Sequence, residues 1–355
     1  MSKLTELAKL NGLSMKQLSV LSDIKYTTLK SMELTDVISW KNESKESIAH
    51  SLGLTVSDLE NLMQGEILSP FIKWVGGKRQ LIPSLLKYLP KDGFDKYYEP
   101  FVGGGAFLLR LAPKTAVIND SNSELINTWN VVKNDLVNLS MLLKNHEIND
   151  SKEYYLAIRG VDRTRDFLSM SDTERAARFI YMNKAGYNGL WRVNSHGQNN
   201  VPYGQHKKLN LVTDSLSSVS SYLNRADIEV RNSDYRKSVS DANRNDFVYF
   251  DPPYIPVNQT SSFTGYTQDG FGLIQQEQLR DLALELAERG VKVMLSNADV
   301  PLIKDLYSNK VFKVHHVVAN RFINSKASSR GKVGEVIITT YWFNKKIISI
   351  IRNSV

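Results

Sequence analysis

Four consecutive residues, Asp251, Pro252, Pro253 and Tyr254, form the motif with the clearest chemical potential in this sequence. They follow the apolar run of residues 247–250, which predicts a buried strand. Neither proline can continue a strand ladder or enter a helix interior, so the strand ends here and the backbone turns rigidly. A carboxylate, two proline carbonyls and an aromatic ring are therefore held at the carboxyl end of a strand, where open α/β sheets bind their ligands.

The chemistry that this D-P-P-Y motif suits best is a reaction at the exocyclic amine of a nucleobase. Such an amine has two N–H donors and a lone pair that is delocalised into the ring. An acceptor on each N–H would return the lone pair to nitrogen, and Asp251 and the Pro252 carbonyl can be those acceptors. Tyr254 can stack on the base. The alternative interpretation is a turn that ends a strand and exposes a tyrosine.

Two glycine segments upstream could bring the backbone close to a ligand. The first, within residues 71–79, is a pair of glycines flanked by Trp74 and Lys78. The second, Gly103–Gly105, follows a predicted strand and precedes a helical run, so its N–H groups would lie near a helix N-terminus. It is not G-x-G-x-x-G and no G-K-[ST] follows it, which disfavours a nicotinamide dehydrogenase and a P-loop enzyme.

Two further predicted strands also end in acids. Residues 116–119 are followed by Asp120, which is well placed to accept the two hydroxyl groups of a ribose. The alternative role of Asp120 is to cap the helix that follows. The segment at residues 228–235 ends in Asp234 and Tyr235. Strand, loop and helix thus follow one another repeatedly, which indicates an α/β fold.

Residues 183–205 combine glycines, asparagines and aromatic side chains around one arginine, and they fit neither a helical nor a strand period. This composition predicts a structured loop or hairpin. Some of its side chains are of the types that stack on bases and hydrogen-bond to base edges: Tyr187, Asn188, Trp191 and Arg192. We interpret the segment as a nucleic-acid recognition loop, the alternative being an ordinary polar loop.

The composition of the 355-residue chain is that of a globular protein, with 42% hydrophobic and 23% charged residues. No apolar run reaches about 18 residues and the N-terminus has no apolar signal region, so we expect a cytoplasmic protein without a membrane span. The lack of cysteine excludes disulfides and thiolate chemistry, and six scattered histidines predict no metal site. The net charge of +8 favours a polyanionic partner such as nucleic acid.

The first 66 residues differ from the rest of the chain in charge. They contain seven lysines, no arginine and nine acidic residues, so acidic residues are in excess, whereas the remainder has a net charge of +10. Short amphipathic segments predict a helical bundle with Leu18, Val20 and Leu21 facing inward. Residues 15–32 resemble the helix-turn-helix of Xre/Cro-type repressors. The second helix of that motif would present Lys25, Tyr26, Thr27, Thr28 and Lys30. The acidic balance equally fits a protein-interaction or dimerisation module, because DNA affinity rests largely on phosphate neutralisation.

Beyond the bundle, five ordered segments within residues 71–343 resemble the Dam/DpnM family of DNA adenine-N6 methyltransferases. They are FIKWVGGKRQL, YYEPFVGGGAFL, VINDSNSELIN, GYNGLWRVN with NVPYG, and VYFDPPYIP. Their order is that of the alpha group of amino-methyltransferases. The resemblance implies a doubly wound, Rossmann-like α/β sheet that uses S-adenosylmethionine (AdoMet). We therefore divide the chain into residues 1–66 and 67–355, with a target-recognition subdomain inserted at about residues 135–225.

The family's functional residues carry over to matching positions of this chain. AdoMet would contact Trp74, Lys78, Phe101, Gly103, Gly105, Asp120, Asp234, Tyr235 and Asp251. The catalytic group would be Asp251, Pro252, Pro253 and Tyr254. DNA around a GATC site would contact Lys73, Tyr187, Asn188, Leu190 and Arg192, with Arg192 on a guanine. Gln205 stands where Dam has an arginine, so one phosphate contact is not carried over.

The resemblance also implies a mechanism in which the target adenine is flipped out of the duplex, because its N6 cannot be reached inside the base stack. The amine would attack the methyl group in line, without a metal or a covalent enzyme intermediate. The partner would be double-stranded DNA, with single strands also possible. Two alternatives stay open: the same chemistry on cytosine N4, and a DNA-binding regulator whose methylase body is inactive.

Overall fold

The computed structural model describes residues 2–54, 56, 59, 60, 63, 68–78, 80–206, 208–254, 271–320 and 332–341. The chain divides into two compact units. The central unit consists of Leu68–Gly77 and Asp95–Asp251, and the terminal unit consists of Met1–Ile67, Lys78–Phe94 and Pro252–Val355. A long polar loop that the sequence places at residues 255–272, suited to a lid, lies outside the described residues except at its last two positions.

The described secondary structure alternates between helices and strands after the N-terminal bundle. The α-helices are α1 (Lys3–Leu10), α2 (Met15–Leu21), α3 (Tyr26–Met32), α4 (Asn42–Ser51), α5 (Ile82–Lys87), α6 (Ala106–Leu111), α7 (Ser123–Asn134), α8 (Leu136–Asn149), α9 (Lys152–Gly160), α10 (Asp166–Ser169), α11 (Asp172–Ala185), α12 (Asp214–Arg225), α13 (Tyr235–Ser238), α14 (Leu273–Glu288) and α15 (Pro301–Leu306). The strands are β1 (Tyr97–Glu99), β2 (Thr115–Asn119), β3 (Asp227–Arg231), β4 (Phe247–Phe250), β5 (Lys292–Ala298), β6 (Lys313–Asn320) and β7 (Lys332–Thr339). Short 3-10 turns lie at Val37–Ser39, Val161–Arg163 and Tyr187–Gly189.

The strands of the central unit form a parallel sheet in the order β3-β2-β1-β4. Tyr97 of β1 pairs with Ala116 of β2 on one side and with Phe247 of β4 on the other. Both β1 and β4 are buried along their whole length, as expected for strands of a parallel sheet with both faces covered. Since parallel strands end at the same edge, the residues at the carboxyl ends of β1, β2 and β4 lie along one edge of this sheet. The α/β prediction is confirmed at this level.

Helix α11 is the main support beneath the loop that follows it. It begins with a capping box, in which Ser171 and Glu174 each accept a backbone N–H of the other. Most of its side chains are buried, and it packs against α7 and α8. The predicted loop at residues 183–205 therefore begins slightly later, because α11 continues to Ala185.

The terminal unit contains an antiparallel set of strands in which β7 lies between β5 and β6. Ile338 of β7 pairs with Leu295 of β5 and with Val314 of β6. Just after β7, the hydroxyl of Tyr341 donates to the carbonyl of Tyr88 at 2.9 Å, which ties residues 78–94 to this sheet.

Residues 2–54 form a helical bundle, also within the terminal unit. Its core is built from aliphatic side chains that include Leu4, Leu7, Leu18, Leu29 and Ile48. The expectation that Val20 and Leu21 face inward is wrong, since they are 80% and 57% exposed. They lie on the last turn of α2, beyond the buried position of Leu18. Helix α2, a short turn and α3 follow the order of a helix-turn-helix, which stays a prediction, as does the domain boundary after residue 66.

Two general features of the described residues bear on the site. None of the described helices is long and apolar enough to cross a membrane. The same residues contain no group of three or more histidine, aspartate or glutamate side chains that could hold a metal ion.

Candidate active site

Asp251 is the first residue after β4, whose side chains are all buried. On this strand Tyr249 packs edge-on against Phe107 of α6, with 4.8 Å between ring centres. The strand end is thereby held in place, and the half-buried carboxylate of Asp251 lies at the carboxyl edge of the central sheet.

The glycine loop, Gly103–Gly105, is shaped by two tryptophans. Gly103 and Gly105 have left-handed backbones, with φ of +49° and +67°. A Cβ on Gly103 would lie 2.5 Å from Cδ1 of Trp74, and a Cβ on Gly105 would lie 2.7 Å from the ring of Trp129. The indole N–H of Trp129 also donates to the carbonyl of Gly103 at 3.1 Å. Glycine is therefore required by both backbone conformation and space, and Trp74 lies against the loop as predicted.

Asp120 closes the glycine loop from the neighbouring strand. Its Oδ2 accepts the N–H of Gly103 at 3.1 Å, and its Oδ1 accepts the N–H of Asn122 at 3.0 Å. The side chain of Asn122, and not that of Asp120, caps α7 by accepting from Leu125. Burial raises the pKa of Asp120 above its usual value, although these N–H donors oppose the rise. The carboxylate keeps lone pairs for further donors such as hydroxyl groups.

An aromatic pair lies beside this edge. Phe101 stacks on Tyr235 with 5.3 Å between ring centres and 30° between planes. Asp234 caps α13 and pairs with Arg236 at 2.8 Å, and the hydrogen bond from Arg236 holds the pKa of Asp234 below its usual value. The structure brings Phe101 and Tyr235 together, while the carboxylate of Asp234 is already engaged by an arginine that sequence reasoning missed.

Glu99 is a buried acid that sequence reasoning also missed. It ends β1, and its side chain accepts the hydroxyl of Tyr97 at 2.8 Å. Burial, with a smaller contribution from the nearby charge of Asp251, raises the pKa of Glu99 to about 8, although the hydrogen bond from Tyr97 opposes the rise. Because Tyr97 pairs with Phe247, Glu99 and Asp251 face the same side of the sheet on neighbouring strands. An acid at the end of the strand that leads into the glycine loop was the available signal.

The second half of the D-P-P-Y motif belongs to the terminal unit, where three side chains contact it. The amide of Gln276 donates to the Pro253 carbonyl at 2.9 Å. The hydroxyl of Tyr254 donates to Glu335 at 3.1 Å, and the ammonium of Lys78 lies 3.9 Å from the centre of the Tyr254 ring. Lys78, predicted to contact a cofactor, thus contacts Tyr254, and Gln276 and Glu335 are additions to the predicted set.

Lys73 and the turn that carries Tyr187 and Asn188, all three predicted DNA contacts, are joined by one buried amide, that of Asn183 near the end of α11. Its Oδ1 accepts the N–H of Lys73 at 3.0 Å. Its Nδ2 donates to the carbonyls of Lys73 and Gly189 at 2.8 and 2.9 Å. A Cβ on Gly189 would lie 2.4 Å from the Lys73 side chain. Two segments far apart in sequence are thereby fixed side by side.

The predicted base-contacting side chains of this loop differ in exposure. Tyr187 is 50% exposed, and Asn188 is exposed with a left-handed backbone at φ +57°. Leu190 is half-buried. The exposed guanidinium of Arg192 donates through Nε to Oδ1 of Asn200 at 2.6 Å. These side chains lie on a scaffold that is tightly held, whereas their tips largely face solvent.

Trp191 has a packing role that the sequence interpretation did not anticipate. Its ring lies 4.1 Å from that of Phe179 of α11, and Phe179 in turn stacks on Trp74 at 6.0 Å. The loop after α11 and the segment that carries Trp74 therefore share one aromatic cluster. Trp191 is half-buried, whereas Tyr187 is exposed.

Comparisons with known proteins identify a family and several similar proteins. Residues 74–323 match the family model of the D12 class N6 adenine-specific DNA methyltransferases. The Type II methyltransferase M1.LlaDCHI of Lactococcus lactis subsp. cremoris is 49% identical over 275 residues, which cover 77% of this chain and 96% of that protein. M.MjaIII of Methanocaldococcus jannaschii, also a Type II methyltransferase, is 38% identical over 292 residues, covering 77% and 99%.

Two further similarities differ in how strongly they support a conclusion about this chain. The DNA adenine methylase of Escherichia coli K12 is 34% identical over 270 residues, covering 75% of this chain and 93% of that protein. A solved structure of a precorrin 8w decarboxylase from Methanobacterium thermoautotrophicum aligns with a TM-score of 0.32 and 10% identity over 78% of this chain and 96% of that chain, too distant to inform the fold. The family model begins after the N-terminal bundle, which therefore lies outside it.

Proposed function

This chain belongs to the D12 class of N6 adenine-specific DNA methyltransferases, and from that premise we propose that it methylates adenine N6 within GATC of double-stranded DNA, using AdoMet and a flipped-out base. The observation that carries the proposal is the carboxylate of Asp251 at the end of β4, on the sheet edge that also holds the glycine loop and Asp120. The adenine specificity of the family decides against the cytosine-N4 alternative. We place the reaction on cytoplasmic DNA.

The residues of the central unit fit AdoMet in their chemistry. The glycine loop offers backbone without side chains, and Asp120 retains lone pairs for two ribose hydroxyls. The stacked pair of Phe101 and Tyr235 offers an apolar surface for an adenine ring. Trp74, Lys78, Asp234 and Asp251 complete the proposed set by resemblance. AdoMet, when bound, supplies a methyl group on a positively charged sulfur.

The target amine is proposed to lie between two acceptors, Asp251 and the Pro252 carbonyl. Among the described residues, no donor engages the Pro252 carbonyl, whereas the Pro253 carbonyl already accepts from Gln276. As N6 takes the methyl group from the sulfonium sulfur, which would leave as a neutral thioether, N6 would gain positive charge that the Asp251 carboxylate stabilises, and the N6 proton would then pass to water. Tyr254 would stack on the flipped base with the ring face that Lys78 does not cover.

DNA recognition is assigned to Lys73 and the loop after α11. Asn183 anchors the backbone of this loop, while Tyr187 and Asn188 are exposed. Both observations favour a rigid loop that presents side chains to a duplex. Arg192 would exchange its hydrogen bond with Asn200 for the O6 and N7 acceptors of a guanine. Leu190 would add an apolar contact nearby.

We further propose that the N-terminal bundle binds DNA or a partner through α3 and so regulates the enzyme or its gene. Lys25, Tyr26, Thr27 and Thr28 are exposed at the start of this helix, which packs on α2 as in a helix-turn-helix. The combined change Lys25→Ala and Tyr26→Ala in the full chain should weaken binding to duplexes of the enzyme's own promoter region. Equal binding by the changed and unchanged proteins would refute the DNA-binding form of this proposal.

The test of the main proposal is digestion of a treated plasmid. Unmethylated plasmid is incubated with the protein and AdoMet, then cut with one enzyme that requires unmodified GATC and another that requires GATC methylated on adenine. We expect protection from the first and cleavage by the second. Modified adenines in another sequence context would refute GATC while leaving the adenine chemistry in place.

A further inference from the structure

A buried chain of amides in the terminal unit ends on the D-P-P-Y motif. The N–H of Ala298 donates to Oδ1 of Asn297 at 2.9 Å, and Nδ2 of Asn297 donates to Oε1 of Gln276 at 3.0 Å. Nε2 of Gln276 then donates to the Pro253 carbonyl at 2.9 Å. Gln276 lies on α14 and Asn297 on β5, and they are 0% and 2% exposed. We call Gln276 and Asn297 the amide relay.

The orientation of both amides follows from the two ends of the relay. The N–H of Ala298 can only donate, and the Pro253 carbonyl can only accept. Asn297 must therefore turn its oxygen to Ala298 and its NH2 group to Gln276, whose own NH2 group then faces Pro253. Reversing either amide would place like groups against each other in a buried site, where unpaired polar groups are costly. The relay thus has one satisfied arrangement.

A buried amide at position 276 is not explained by packing alone. The core positions of the same helix face are apolar, namely Leu279, Ala283 and Leu286. An apolar side chain at position 276 would avoid the cost of removing an amide from water. What the amide adds is a donor aimed at one carbonyl of the motif, held in direction by Asn297.

The hydrogen bond from Gln276 constrains the ψ angle of Pro253, the backbone torsion that the ring of this proline leaves free. The rings of Pro252 and Pro253 fix their φ angles, so the direction of the Pro253 carbonyl depends mainly on rotation about its Cα–C bond. The hydrogen bond from Gln276 sets this direction, and with it the position of the next residue, Tyr254. The hydroxyl of Tyr254 is held separately by Glu335.

We propose that Gln276 and Asn297 are positioning residues for methyl transfer: they engage the Pro253 carbonyl, so that of the two proline carbonyls only that of Pro252 serves the target amine beside Asp251, and they fix the stacking tyrosine. This inference rests on the proposed role of the D-P-P-Y motif. Since a misplacement of about 1 Å can cost roughly 100-fold in rate, loss of the relay should slow the chemical step more than it weakens ligand binding.

The test compares single-turnover methylation by three variants with that of the unchanged enzyme. Gln276→Met keeps the approximate length of the side chain but removes the donor. Glu277→Gln, at the exposed neighbouring position on α14, is the matched control. We expect Gln276→Met to slow methyl transfer by about 10- to 100-fold, with AdoMet and DNA dissociation constants within about 2-fold of the unchanged values. The control should transfer at the unchanged rate.

Gln276→Glu provides a signature that a merely structural role would not produce. The new carboxyl can accept from Asn297, but it can donate to the Pro253 carbonyl only when protonated. Burial beside a carbonyl raises the pKa of such a carboxyl, so the donor returns as pH falls. The ratio of the variant's transfer rate to the unchanged enzyme's rate at the same pH should therefore rise as pH is lowered.

Three results would overturn the inference. They are an unchanged transfer rate in Gln276→Met, a loss of rate explained by an equal loss of AdoMet or DNA binding, and a Gln276→Glu ratio that is flat with pH. If Gln276→Met does not fold cooperatively, the pH dependence of Gln276→Glu decides alone. A failure of the unchanged enzyme to methylate adenine would instead refute the proposed function, which separates the two claims.

Discussion

The glycine loop and the loop after α11 belong to the same unit but are held in opposite ways. At Gly103 and Gly105 the backbone lies against Trp74 and Trp129, and neither position has room for a side chain. In the loop after α11 the backbone is held by hydrogen bonds from Asn183, while Tyr187 and Arg192 are exposed to solvent. In the proposed function, the first region presents backbone to AdoMet, and the second presents side chains to DNA.

This difference follows from what each region has to recognise. A small ligand that reacts at one atom must be placed accurately, which a closed and crowded backbone provides before binding. A duplex is read by side chains that reach the edges of its bases. Those side chains must therefore be accessible, while the backbone that carries them remains fixed. The comparison predicts that added bulk damages the first region, whereas loss of a side chain damages the second.

The largest effect should come from adding one methyl group to the glycine loop. Gly103→Ala forces a Cβ to within 2.5 Å of Trp74 and strains a left-handed backbone at a cost of about 1–3 kcal/mol. We expect AdoMet affinity, measured by calorimetry, to fall at least about 10-fold, because making room for the added Cβ displaces the glycine loop itself. Gly197→Ala is the control, since its φ is +73° but nothing lies within 4 Å of the added Cβ.

The control should lose some stability from backbone strain and no AdoMet affinity. Equal loss of AdoMet affinity in both variants would show that the crowding against Trp74 is not what shapes the cofactor site.

A smaller effect should follow from removing Arg192, confined to DNA discrimination. Arg192→Ala leaves its exposed site without a guanidinium but opens no cavity, so the free energy of unfolding should stay within about 0.5 kcal/mol. Discrimination between GATC and a site with one altered guanine pair should fall by about 1–3 kcal/mol, measured by competition binding. A uniform loss of affinity for all duplexes would instead indicate a phosphate contact.

Patterns along the chain predicted one of these regions better than the other. Asp251 and Asp120 follow apolar strands directly, and three residues separate the glycine loop from the end of β1. Because the ends of parallel strands meet at one edge, local sequence was enough to place them together. The packing of Trp191 on Phe179 could not be foreseen, because its ring type suits stacking on bases as well as on a helix.

Residues whose roles depend on contacts between different helices and strands were missed by the sequence analysis for a related reason. Glu99 is buried because β1 lies between β2 and β4, and nothing in its own segment requires this. Gln276 lies among polar neighbours of an amphipathic helix, and its contact with Pro253 depends on how that helix packs. Val20 and Leu21 fit the apolar pattern of α2 but lie past the end of its packed stripe.

Glu99 offers a finer way to examine the rigid region, through pH. Burial raises the pKa of Glu99 to about 8 in the folded state, while the unfolded chain has the usual value near 4.5. The folded protein then holds a proton that the unfolded protein releases between these values, so stability should decrease as pH rises through this window. Tyr97, Tyr222 and Asp251 are the titratable groups that act on it.

The measurement is urea unfolding of the unchanged protein and of Glu99→Gln across that pH range. The amide oxygen can still accept from Tyr97, so the variant should fold and show a flatter dependence of stability on pH. Parallel pH profiles for the two proteins would argue that Glu99 is ionised in the folded state.

The central claim, that Asp251 at the end of β4 performs the chemistry on adenine N6, is tested most directly by comparing the unchanged enzyme with Asp251→Ala. Both are incubated with AdoMet and a GATC duplex, and the nucleosides are then quantified by mass spectrometry. We expect N6-methyl-2′-deoxyadenosine from the unchanged enzyme and none above background from Asp251→Ala, with duplex binding retained. N6-methyl-2′-deoxyadenosine formed at the full rate by Asp251→Ala would contradict the account.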